Sequence, residues 1–273
     1  MIVANDENIR DVVKSEIERL GNKADLNHID VSQVTDMNIL FYGSSFNGDI
    51  SKWDVSSVEN MNSMFLDSKF NQDISSWDVS NVENMMYMFS RSPFNQDISK
   101  WDVGNVRDMS WMFLSSKFNQ DISNWDVSNV KNMWGMFSFS KFNQDISKWD
   151  VSNVEYMGEM FKNSRFNGDI SKWNVSNVKY MYGMFQNSKF NQDISNWDVG
   201  NVRVMMDMFC DSPFNGDISK WNINIKMLKE NQKDFENKHF YLLVKAYDNE
   251  NKNDIDNLSR KIYINHIRKR LKI

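Results

Sequence analysis

The stretch Phe70-Asn71-Gln72-Asp73-Ile74-Ser75-Ser76-Trp77-Asp78-Val79-Ser80-Asn81-Val82 decides the fold, because it returns with small changes every 24 residues. Trp53, Trp77, Trp101, Trp125, Trp149, Trp173, Trp197 and Trp221 keep that step without insertion or deletion. Phe46 through Phe214 and the Asp-Ile-Ser triplets from Asp49 to Asp217 keep it too. A period of this length, held this strictly, is the mark of a solenoid whose units bury their apolar faces on each other. The expected body is therefore one elongated array. Its length of 273 residues is not read as a count of globular domains.

Outward from that stretch, the array begins before the first Trp. Ile29-Asp30-Val31-Ser32 aligns with Trp53-Asp54-Val55-Ser56, and Met37, Leu40 and Phe41 align with Met61, Met64 and Phe65. Residues 5–20 read as a helix with Ile9, Val12, Val13, Ile17 and Leu20 on one face, Asn5 or Asp6 as cap and Gly21 as stop. The expected organisation is an N-terminal capping helix over 1–28, a solenoid of about eight and a half units over 29–224, and a C-terminal cap over 225–273. In that last segment Phe240, Leu242, Leu243 and Val244 are apolar enough to seal an open turn. The tail from Lys226 carries 12 Lys/Arg against 7 Asp/Glu, so a chain of net charge −5 is more acidic over its repeats. Its Arg268-Lys269-Arg270 cluster reads as a charge bias at a helix C-terminus.

Two patterns alternate inside each unit. Asn71 to Val79 suits a short extended segment with Ile74 inward, whereas Val82, Met85, Met88 and Phe89 fall at i, i+3, i+6 and i+7. That spacing predicts about two helical turns with those four residues on one face. The fold expected is α/β: a leucine-rich-repeat-like solenoid with one short parallel strand and one short helix per turn. Unbranched Met at two positions per unit can fill the space between turns.

Composition narrows the function classes. The acidic balance argues against nucleic acid as a partner. No stretch approaches the roughly 20 apolar residues of a membrane span, so membrane insertion is not expected. Cys210 is the single cysteine and can make no internal disulfide. The N-terminal residues show no basic region followed by an apolar run, which sets the expectation of a cytoplasmic protein.

The columns of repeated polar residues invite chemistry. Asp49, Asp73, Asp97, Asp121, Asp145, Asp169, Asp193 and Asp217 would stack about 4.8 Å apart. Either cations bind between them, or each carboxylate accepts backbone N–H groups in its own turn, helped by Lys52, Lys100, Lys148, Lys172 and Lys220. The second reading extends to the column from Asn47 to Asn215, as a ladder of amides satisfying backbone groups. Calcium arrays of this kind use Gly-rich turns, and these turns are not Gly-rich. His28, His239 and His266 lie outside the repeated positions, and no Cys/His metal spacing or phosphate loop occurs. No catalytic residue, cofactor or metal site is expected.

The positions that vary remain. Ten residues after each Trp come Ser63, Tyr87, Trp111, Gly135, Glu159, Gly183 and Asp207, opposite the apolar stripe of a helix. Tyr87 and Trp111 are therefore expected exposed and adjacent, flanked by Trp134 and Tyr182, with Tyr156 and Tyr180 on another variable edge. These six are the candidate protein-binding residues, since clustered Tyr and Trp mark binding hot spots. The alternative is that they are packing over neighbouring units. Gly104 and Gly200, in place of Ser, read as neutral turn substitutions.

The unit at 68–89, SKFNQDISSWDVSNVENMMYMF, resembles the repeat of BspA-like surface proteins and the Mycoplasma-type lipoprotein repeat, a divergent leucine-rich-repeat-like group. The lead-in Asp25-Leu26-Asn27-His28-Ile29-Asp30-Val31-Ser32 is similar as well, and the likeness spans roughly residues 1–224. It implies a leucine-rich-repeat-like solenoid with a role in protein binding or surface adhesion. The cell surface is thus the alternative location.

Overall fold

The computed structural model describes residues 2–223. The cap expected over 225–273, with His239, His266 and the apolar and basic groups named above, lies outside the described residues.

At the N-terminus a strand the periodicity did not announce, β1 (Ile2–Val3), pairs in parallel with β2 (Ile29–Asp30). Between them runs α1 (Ile9–Leu20), the one helix among the described residues. It begins four residues later than its pattern suggests. Asn5 folds the lead-in by accepting from the N–H groups of Glu7 and Asn8, and Asn8 is the capping residue. Gly21, at φ 91°, ends the helix as expected. Ile9 and Val13 are buried and Val12 and Ile17 partly so, while Leu20 is exposed.

This segment closes the open end of the array by imitating a repeat. In the array, the N–H groups of Glu59 and Asn60 both donate to the Thr35 carbonyl of the repeat before. The first repeat has no such neighbour, and Asp6 Oδ1 takes the part, accepting from the N–H of Thr35 at 2.8 Å and of Asp36 at 3.0 Å. Arg10 donates to the Asn38 carbonyl in the same way. On the other side of α1, Glu16 is nearly buried and accepts from Arg19 at 2.5 Å and from His28 Nε2 at 2.7 Å. Arg19, then His28, holds the Glu16 carboxyl down at about 2, against an ordinary value of 4.5. A depressed carboxylate stabilises the fold above its unfolded pKa and ceases to as pH falls through the folded one. Melting temperature should therefore fall more steeply between about pH 4.5 and about pH 2 in the wild type than in Glu16→Gln. Parallel profiles would refute this role for Glu16.

The repeats themselves correct the expected architecture. Among the described residues they contain no helix and, past β2 at the start of the first, no strand longer than a single bridge. Each pairs with the next in parallel through Asp36↔Asn60, Asn60↔Asn84 and onward to Tyr180↔Val204. In the stretch predicted helical, N–H groups alternate between two partners. Those of Met61, Ser63, Phe65 and Asp67 donate to carbonyls of the following repeat, at Asn84, Met86, Met88 and Ser90. Those of Met64, Leu66 and Ser68 donate three residues back within their own repeat. The result is a run of overlapping turns, with Ser63, Asp67, Tyr87, Arg91, Trp111 and Ser115 at φ between 52° and 57°. A right-handed helix excludes that conformation.

The apolar residues are nevertheless buried as the pattern demands: Val82, Met85, Met88 and Phe89 are each at 0% exposure. A helix and this chain of turns place i, i+3, i+6 and i+7 on one side alike, so periodicity does not separate them. Length does, because two isolated helical turns are marginal. The following repeat, alike in pattern, offers every second N–H a cross-repeat carbonyl instead.

Behind that stretch lies a core of two Phe columns and one Trp column. Phe113 stacks on Phe118 at 4.1 Å within its repeat and on Phe89 and Phe137 of its neighbours at 5.9 and 5.7 Å. Each Trp of the column sends its indole N–H back to a carbonyl 27 residues earlier, that of Leu26 for Trp53 and of an Ile from Trp77 onward, as from Trp125 to Ile98 at 3.1 Å. The Met pairs are fully buried, in keeping with their expected use as filling.

Candidate functional site

The repeated polar side chains are absorbed in building the turns. Asp49 accepts the Ser51 N–H, and the same bond recurs in each repeat to Asp217 and Ser219. Backbone donation from the Ser two residues on leads the causes that hold Asp49, Asp97, Asp121, Asp145, Asp169 and Asp193 below the usual carboxylate range. A second such corner recurs at Asp54, Asp78, Asp102, Asp126 and Asp150, and a third at Asn60, Asn84, Asp108 and Asn132. Sharp bends stabilised by a short acceptor side chain, three in the earlier repeats and two where Tyr156, Tyr180 and Val204 take the third position, are what shape the unit. Gly104 and Gly200 sit in the second kind of corner and use only their backbone there.

Amides join one repeat to the next. Asn47 Oδ1 accepts the N–H of Asn71, and the bond recurs without a break to Asn191 and Asn215. Asn81 Nδ2 donates to the Ser56 carbonyl, again repeated as far as Asn201. Among the described residues no group of three or more His, Cys, Asp or Glu has the arrangement of a metal site. Burial first, then the carboxylates of Asp211 and Asp207, push the Cys210 thiol up, away from the thiolate form a nucleophile needs.

The six variable aromatics come together as three stacked pairs along the stretch of turns. Tyr87 and Trp111 occupy the same position in adjacent repeats, rings 6.1 Å apart and within 5° of parallel. They are adjacent as expected but half-buried, because left-handed backbone at φ 56° and 57° turns them along the array. Trp111 continues over Gly135, where an added Cβ would lie 2.1 Å from the indole. Trp134 reaches across Gly158 in the same fashion to stack on Tyr182 two repeats away, at 6.5 Å. Tyr156 and Tyr180 stack at 5.1 Å and 3°, standing where earlier repeats carry the Asn or Asp of the third corner. Tyr156 is the most open of the six, at 38% exposure.

Stacking along the array covers ring faces. Such a surface suits contact with protein groups better than face-on stacking of a ligand ring. The glycines carried a sequence signal that pattern reading passed over. Each follows a Trp by 24 residues, which marks a repeat that has given up its side chain to a neighbour's ring.

Repeats paired head to tail by their own backbone, with side-chain amides and carboxylates committed to turns, define a repeat protein whose variable residues collect on one stretch of each unit. Residues 9–117, 91–189 and 162–241 match the family described as Mycoplasma protein of unknown function, DUF285. The chain belongs to that family. Comparison with curated proteins and with solved structures finds no match. No helix of the described residues is long and apolar enough to cross a membrane.

Proposed function

We propose that this chain is a solenoid serving as a non-catalytic scaffold for protein binding, with the three aromatic pairs as its recognition surface. The observation that carries the reading is their placement: Tyr87–Trp111, Trp134–Tyr182 and Tyr156–Tyr180 fall on one stretch of consecutive repeats. The polar residues common to all repeats are meanwhile bound up in corners and ladders, which favours a role in contact over one in chemistry. Rings pre-ordered by stacking lose little entropy on binding, the condition under which Tyr and Trp dominate interfaces.

The test compares captures from native cells by the wild type and by Tyr156→Asn/Tyr180→Asn. Asn is the residue at this position in Asn60, Asn84 and Asn132, so the variant keeps a turn the fold already uses. A partner held by the wild type and lost by the variant is the expected result. Identical captures would remove the aromatic surface from the account.

A structural or adhesive role at the cell surface is the second reading, favoured by the uniform corner columns, which offer the same contact many times over. Labelling of intact cells with a membrane-impermeant reagent separates the two, because only this reading requires the repeats to be reached from outside.

A further inference from the structure

Eight residues before each Trp runs a column that the function above does not use. It holds Lys117, Lys141, Arg165 and Lys189 in successive repeats, all exposed. At a parallel rise of about 4.8 Å these four cations span about 14 Å. None takes part in an ion pair among the described residues. The position two residues earlier could supply acids, but in these repeats it holds Ser115, Phe139, Asn163 and Asn187.

Four residues after the cations runs the opposite charge, in Asp121, Asp145, Asp169 and Asp193, again exposed. Each commits one oxygen to its Ser N–H and keeps its charge outward. The Lys that offsets this column just before Trp149 and Trp173 is replaced by Asn124 and Asn196 in the flanking repeats, and earlier by Ser76. Asp121 consequently feels the fields of Asp145 and Asp97.

We infer that the two columns are halves of one self-complementary interface, on which a second copy of the chain docks side by side. Both columns have the pitch of the repeat, so a copy placed in register meets an opposite charge at every step. A two-fold axis parallel to the columns sets the cations of each copy against the carboxylates of the other, as an isologous dimer requires. A second copy carries acids at this spacing along the whole row, which fits it better than an unrelated acidic surface. The inference does not rest on the aromatic pairs.

Sedimentation velocity of the full chain tests it. Dimer should form at about 20 mM NaCl and weaken by about tenfold or more at about 500 mM, where the screening length falls below the span of the columns. Reversing the cations, in Lys117→Glu/Lys141→Glu/Arg165→Glu/Lys189→Glu, should leave monomer. A gentler variant, Ser76→Lys/Asn124→Lys/Asn196→Lys, places Lys where Lys52, Lys100, Lys148, Lys172 and Lys220 already stand. It should weaken the dimer by several-fold with an unchanged melting temperature. A wild type that stays monomeric at low salt would overturn the inference. So would a dimer indifferent to both variants, which would point to another surface.

Discussion

Phe113→Ala should cost about 3–5 kcal/mol of stability in chemical denaturation. Phe113 is fully buried and stacked on Phe118 within its repeat, on Phe89 and Phe137 of the adjoining repeats, and beside Trp125 at 6.4 Å. A cavity costs most where the surroundings fail to collapse into it. Here they are pinned on both sides, since Phe113 donates to the Met136 carbonyl and Met112 accepts from Phe89. Any inward movement would break bonds to both neighbours, so the upper part of that range is expected. A loss under about 1 kcal/mol would mean that the Phe columns are not a continuous packed core.

Trp125→Phe should cost about 1–3 kcal/mol, although an aromatic ring is kept. Trp125 is 3% exposed and donates from Nε1 to the Ile98 carbonyl at 3.1 Å. Phe fills less of the space and takes away one of the two donors to that carbonyl, which keeps the Trp101 N–H at 3.1 Å. The lost indole bond and the unfilled volume therefore share the cost, and no buried group is left unpaired. Thermal melts of the variant within about 0.5 kcal/mol of the wild type would show the indole bond to be dispensable.

These two residues mark how much of the fold was legible in the sequence. The step of 24, the burial of Trp, Phe, Ile and the Met pairs, and the use of the Asn column to satisfy backbone all follow from pattern, because each concerns which side of the chain meets the core. The backbone joining those positions did not follow. Val82 to Phe89 carries a spacing that helix and overlapping turns satisfy equally, and what separates them is the φ of Tyr87 and the carbonyl that its neighbour repeat presents. The strand β1 escaped notice for a related reason. Two residues carry no period, and Ile2–Val3 is a strand only because Ile29–Asp30 lies beside it.

The candidate surface was legible by position and not by posture. Variation at three fixed offsets from the repeated Trp picked out Tyr87 and Trp111, Trp134 and Tyr182, and Tyr156 and Tyr180, and placed the first two side by side. It did not show that rings would lie along the array, over Gly135 and Gly158, with their faces covered. The acid-sensitive cluster of Glu16, Arg19 and His28 was equally hidden, since it depends on where α1 meets the first repeat.

The Met-rich stretch is a ladder of left-handed turns shared between repeats. Glu159 tests that most directly: it lies at φ 53°, and its side chain pairs with Lys162. Glu159→Gly and Glu159→Ala remove the same ion pair, so their difference in unfolding free energy reports the backbone alone. The ladder predicts the Gly variant more stable than the Ala variant by about 1 kcal/mol, the cost of a Cβ in the left-handed region. A helix would reverse the order, with Ala more stable by about 1 kcal/mol, and that result would contradict the architecture described above.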